Sequence, residues 1–224
     1  MNTRRFGRTD IQVSEVVIGA GWVGGILIDP NPDVMRRALR MSLDAGINWI
    51  DTAESYGAGV SETNVGWLVE ELDAAARPGI STKARLDIES SETIASQLDR
   101  KIDASLKRLR LDSVDLYQLH NRIVAETDGQ DIGVDDVLGA GGVADQLERL
   151  REDGRIRHIG ITALGEVDPL IRATNASHPP RAMANSNATH NTFNSRVDGG
   201  SPYHRCAAVT CAVNPDGVFV DVCL

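Results

Sequence analysis

Cysteine is scarce in this chain of 224 residues: Cys206, Cys211 and Cys223 are all close to the C-terminus. Nothing in that placement suggests a disulfide-built secreted fold, so a cytoplasmic location is expected. Long apolar runs are missing as well. The longest, Val16 to Ile28, is broken by glycines and closed by Asp29, well short of the ~20 residues that span a bilayer. The start, MNTRRFGRTD, lacks the apolar core of a signal peptide, so no targeting segment is expected. A basic cluster is also lacking. With 23 Lys and Arg against 32 Asp and Glu, the formal charge is −9, which argues against nucleic acid and against an anionic membrane surface as partners. A soluble metabolic enzyme is compatible with this balance, which does not by itself select one.

What is present is an alternation of short apolar segments with helical patterns. Ser14–Gly19, INWID ending at Asp51, Gly79–Lys83, Val114–His120 and Ile156–Thr162 read as strands. Between them, Asn31–Gly46, the stretch from Glu62 to Gly79, Ser91–Leu109 and the segment around Val143, Leu147 and Leu150 read as helices, and EVDPLIRA begins another. Val65, Leu68, Val69 and Leu72 share one helical face, as do Ile94, Leu98, Ile102 and Leu106. Five strand–helix units imply a parallel sheet, because parallel strands need crossover connections. A (β/α)8 barrel and an open doubly wound sheet both satisfy the pattern. The glycines of GAGWVGG, Gly19 to Gly25, are out of register for the G-x-G-x-x-G fingerprint that a dinucleotide-binding open sheet carries after its first strand, which favours the barrel. A chain of this length can bury a sizeable core, removing roughly 70% of its unfolded surface from water.

Three consecutive strands end on polar groups: Asp51, Lys83 and His120, with Tyr56 in the loop after the second. In a (β/α)8 barrel, catalytic groups gather at the C-terminal strand ends. Neighbouring strands lie ~4.8 Å apart, so these four side chains can converge on one small volume. A buried lysine beside a phenol stabilises phenolate, drawing the tyrosine down from ~10 towards working pH. An aspartate keeps that lysine charged and aimed, and a histidine at the same rim can orient a substrate oxygen. Together they suit general acid–base work on a carbonyl or alcohol. Taken singly, Asp51 reads equally as a helix cap, Lys83 as a solvated strand end and His120 as a core histidine.

The stretches DTAESYG, STK and LYQLH, with the opening RRFGRTDIQVS, resemble the aldo-keto reductase superfamily from about residue 5 to about residue 170. The resemblance implies a (β/α)8 barrel of the TIM type whose bottom is capped by a short hairpin. It implies reversible hydride transfer between NADP or NAD and a small aldehyde, ketone or sugar, without a metal. Tyr56 would be the general acid, Lys83 the cation that acidifies it, Asp51 the partner of Lys83, and His120 the group orienting the carbonyl oxygen. Gly21 and Trp22 would line the nicotinamide and substrate pocket, Asp51 would border it, and Thr162 would hold the carboxamide. GITALGE is most similar to the branch acting on sugars such as galactose or fucose. Ala163 stands where the family usually has Asn, which removes a donor and an acceptor; one hydrogen bond is worth roughly 0.5–1.5 kcal/mol net. A second reading is a catalytically impaired or regulatory protein of the same fold, like the channel-associated β subunits. A metal-dependent (β/α)8 hydrolase ranks last, since no His-x-His pair occurs near the first strand.

A complete barrel needs ~250 residues, and three units are expected after the fifth. Residues 1–173 therefore read as a partial barrel of about five units, and 174–224 as an irregular or disordered tail. That tail contains no Lys and no Glu and shows no period until GVFVDVCL. An out-of-frame translation, a truncation ending in disorder, and a small module with His204, Cys206, Cys211 and Cys223 on a metal remain as explanations. An incomplete barrel is expected to leave two parallel edges unpaired, which invites aggregation.

Overall fold

The computed structural model describes residues 1–6, 9, 11–21, 25–176, 209–213 and 219–223. Strands β1 (Thr3–Arg5) and β2 (Gln12–Ser14) form an antiparallel hairpin. There follow β3 (Ile18–Gly19), α1 (Pro32–Asp44), β4 (Trp49–Asp51), α2 (Val60–Glu70), β5 (Gly79–Ala84), α3 (Ile94–Leu109) and β6 (Val114–Leu119). Next come β7 (Ile123–Val124), β8 (Ile132–Gly133), α4 (Val134–Leu138), α5 (Val143–Glu152), β9 (Ile156–Thr162) and α6 (Val167–Asn175). A 3-10 turn over Ala74–Ala76 separates α2 from β5, so the helix expected up to Gly79 ends at Glu70, and strands β10 (Val209–Val213) and β11 (Phe219–Cys223) come last.

One sheet runs β10-β11-β9-β6-β5-β4-β3. Within it β3, β4, β5, β6 and β9 are all parallel, and each successive strand of these five lies on the same side of the one before. A doubly wound sheet reverses direction at a switch point; this one does not. The architecture is an incomplete barrel of the (β/α)8 type.

Local chemistry explains the element ends. Asn31 caps α1, its side-chain oxygen accepting from Asp33 N at 3.0 Å and Val34 N at 3.4 Å, with Pro32 at the first helical position. Thr93 caps α3 in the same way through Ser96 N at 3.2 Å. The expected strand over Ser14–Gly19 is split. Ser14 closes the hairpin, its hydroxyl donating to Val16 O at 2.7 Å, and only Ile18 and Gly19 pair with β4. A serine that satisfies the backbone locally competes with the ladder.

The apolar stripes face the sheet as their spacing predicts. Val65, Leu68 and Val69 of α2 and Leu98, Ile102 and Leu106 of α3 are buried in one core with Ile50, Ile80 and Tyr117; each such aliphatic side chain contributes roughly 1.5–3 kcal/mol. A second cluster, Phe6, Val13, Trp49 and Leu116, closes the N-terminal ends of the strands, with the Phe6 and Trp49 rings stacked at 5.8 Å. The hairpin thus sits where the sequence expects it. The acidic loop after β6 carries β7, β8 and α4, elements too short to show a period.

Two segments of the expected tail are strands. β10 and β11 pair antiparallel, and β11 lies parallel to β9, with Val220 opposite Ile161. The edge of β9 is therefore occupied, which corrects one of the two edges expected to be open. No helix among the described residues is long and apolar enough to cross a membrane.

Candidate active site

Asp51 ends β4 opposite Ser81 of β5, and Lys83 follows two residues later on the same face of β5. The Lys83 side chain is 0% exposed and that of Asp51 5%. Burying an ammonium is costly unless it is paired and hydrogen-bonded. Lys83 Nζ meets both conditions, pairing with Asp51 Oδ2 and donating to Thr52 O at 2.9 Å. The same nitrogen stands 3.4 Å from the Tyr56 hydroxyl and 5.0 Å from the centre of its ring. Behind Asp51, Ser81 Oγ donates to Oδ1 at 2.6 Å and in turn accepts from Trp49 Nε1 at 3.0 Å. A chain of hydrogen bonds therefore runs from the indole at the base of the sheet to the phenol at its rim.

The loop carrying Tyr56 is fastened on both sides. Glu54 N donates to Lys83 O at 3.3 Å, and Glu54 Oε1 accepts from Arg85 N at 2.9 Å and Lys101 Nζ at 2.8 Å. Ser61 donates to Ala20 O at 2.8 Å, which leaves Thr52 to donate to Ser61 Oγ at 2.7 Å. Glu62, fully buried, accepts from Thr82 Oγ1 and from Arg108 Nε, both at 2.6 Å. The chain reverses after Tyr56 through left-handed Gly57, Ala58 and Gly59, at φ 62°, 52° and 91°. Gly21 lies against the phenol face: a Cβ there would stand 3.2 Å from Tyr56 Cε2.

His120 directly follows β6, and its N–H donates to Ala84 O at 2.7 Å. Its ring meets Tyr56 edge-on, centroids 6.0 Å apart and planes at 82°. Burial lowers its pKa to about 4, helped by the Lys83 cation, opposed by Asp51 and reinforced by Arg85. The imidazole is thus neutral near pH 7 and carries one N–H to donate to an oxygen.

Thr162 ends β9, buried, and its Oγ1 donates to Leu119 O at 3.0 Å. The hydroxyl oxygen keeps lone pairs that can accept from an amide N–H, which fits the carboxamide of a nicotinamide. The structure therefore brings Asp51, Lys83, Tyr56, His120 and Gly21 together at one rim, with Thr162 at the end of the next strand but one from β5. Trp22 and the tail set of His204, Cys206, Cys211 and Cys223 lie outside the described side chains. Ser81, Thr52, Glu54 and Glu62 escape a reading by strand ends. Only Ser81 has a sequence signal, its spacing of two from Lys83, which places both on one face.

Residues 15–198 match the family model described as Aldo/keto reductase family. The chain is 32% identical over 162 residues to the L-galactose dehydrogenase of Arabidopsis thaliana, covering 72% of this chain and 48% of that protein. It is 29% identical over 161 residues to aldo-keto reductase YhdN of Bacillus subtilis, covering 69% and 44%. Among solved structures, an aldo-keto reductase from Klebsiella pneumoniae in complex with NADPH superposes with a TM-score of 0.55 at 26% identity, over 73% of this chain and 50% of that one. The chain spans about half the length of the curated relatives it matches.

Proposed function

The chain belongs to the aldo/keto reductase family, and on that footing we propose that it is an NAD(P)H-dependent oxidoreductase interconverting a carbonyl and an alcohol on a small aldehyde, ketone or sugar. The observation that carries this reading is the Lys83 ammonium, buried between the Asp51 carboxylate and the Tyr56 hydroxyl 3.4 Å away. Gly21, Trp22, Asp51 and Thr162 are the residues that would hold the nicotinamide. When bound, that group supplies a hydride to the carbonyl carbon.

The protein's own residues manage the oxygen. His120, neutral, donates its N–H to the carbonyl oxygen and sets its direction. As negative charge develops there, the Tyr56 O–H transfers its proton to it, and the phenolate that remains is stabilised by the adjacent cation. Asp51, fixed by Ser81, keeps that cation in place. In the reverse direction the phenolate takes the alcohol proton. Similarity to a plant L-galactose dehydrogenase supports a sugar as one substrate class.

The test follows NADPH absorbance with an aldehyde. Turnover is expected, and Tyr56→Phe should lower kcat by about 10²–10⁴-fold with little change in NADPH affinity. Full turnover in Tyr56→Phe would remove Tyr56 from the mechanism. NADPH binding with no turnover by the unaltered protein would favour the regulatory reading.

A further inference from the structure

The mouth of the site carries a cation that this mechanism does not use. Arg85 lies just past β5, two residues beyond Lys83. The ladder between β5 and β6 ends with Ala84 opposite Leu119 and with His120 N donating to Ala84 O, which sets Arg85 across from His120. Its backbone N–H is bound by Glu54, while its side chain is exposed. The carboxylate of Glu54 is already matched by Lys101 at 2.8 Å. Among the described residues no carboxylate forms an ion pair with the Arg85 guanidinium, in a chain with 32 acidic residues to 23 basic ones. Its charge nevertheless reaches His120, where it adds to the effect of Lys83.

An exposed guanidinium without an ion-pair partner among the described residues, on the residue across from a substrate-orienting histidine, presents a planar fork of donors suited to a carboxylate or a phosphate. Resting on the oxidoreductase reading, we propose that Arg85 is a specificity-determining residue that selects carbonyl substrates bearing an anionic group. The reacting oxygen lies between Tyr56 and His120, and the anionic end of the same molecule lies at Arg85. The two anions share this chemistry, and matched substrates separate them.

The experiment compares kcat/KM for succinic semialdehyde against butanal, and for glyceraldehyde 3-phosphate against glyceraldehyde, in the unaltered protein, Arg85→Gln and Arg85→Glu. A preference of about 10-fold or more for at least one anionic substrate is expected, the size of a charge-assisted hydrogen bond. Whichever pair shows the larger ratio identifies carboxylate or phosphate. The ratio should collapse towards one in Arg85→Gln, invert in Arg85→Glu, and shrink with added salt in the unaltered protein. No anionic preference, or a ratio that survives both substitutions, overturns the proposal. So does a loss that appears as weaker NADPH binding in a fluorescence titration, which would assign Arg85 to the cofactor. If no aldehyde turns over, the oxidoreductase reading fails on its own. Saturation-transfer NMR of succinate and butanal then decides the anion preference without chemistry: stronger succinate binding lost in Arg85→Glu supports it, and equal binding refutes it.

Discussion

Lys83 shows how one buried charge commits its neighbours. Lys83→Met leaves the Asp51 carboxylate buried with Ser81 as one remaining donor, and the expected cost is about 3–5 kcal/mol, read as a lower urea midpoint. Adding Asp51→Asn should recover part of that loss, because the stranded charge goes with it. A recovery of zero would show that the pair acts through packing alone. His120 makes a pH prediction. Its native pKa of about 4 lies below its ordinary value of 6.5, so between those values the unfolded chain binds more protons. Stability should therefore rise with pH from 4 to 6.5, and fall as the pH drops through that window. Comparing urea midpoints at pH 7 and pH 4.5, the unaltered protein should lose more than His120→Gln does.

At the scale of elements, the site rests on how closely α2 meets α3. Gly66, inside α2, faces the end of α3, and a methyl there would overlap the Arg108 carbonyl oxygen and come within 2.8 Å of the Leu109 carbonyl carbon. Helix propensity alone favours Ala over Gly by about 1 kcal/mol. Packing opposes that here, so Gly66→Ala is expected to lower the thermal midpoint. An unchanged or raised midpoint would show that the two helices can part without cost. The same contact supports the Glu62–Arg108 pair, and through Thr82 it reaches the strand that carries Lys83. The helices and strands themselves were largely legible from sequence, because burial on one face imposes a period on residues such as Leu98, Ile102 and Leu106. Strand β3 is shorter than the apolar run Ser14–Gly19 suggests, because the Ser14 hydroxyl satisfies Val16 O in a way no period reveals. Strands β7 and β8 have two residues each and carry no period at all.

For the whole molecule, strand order ranks local stability. β6 is flanked by β5 and β9, while β3 has β4 as its one neighbour among the described residues. Amides of Tyr117 and Leu119 should exchange with solvent hydrogen only through global unfolding, and that of Ile18 through cheaper local opening. Equal protection across the sheet would contradict this ranking. The alternation of strands and helices was set by the chain itself, and so were polar residues at or within one residue of three strand ends, since side-chain period and residue type are local properties. The residue types at Asp51, Tyr56, Lys83 and His120 likewise point to acid–base chemistry before any contact is known. Tertiary structure alone decided that the strands follow one another without reversal. It also decided that Ser81 braces Asp51, that Glu54 and Glu62 clamp the tyrosine loop, and that Arg85 follows β5 across from His120 without an acidic ion-pair partner among the described residues. Those facts depend on registers between strands and on groups up to 47 residues apart meeting in buried and half-buried contacts, which no local pattern encodes.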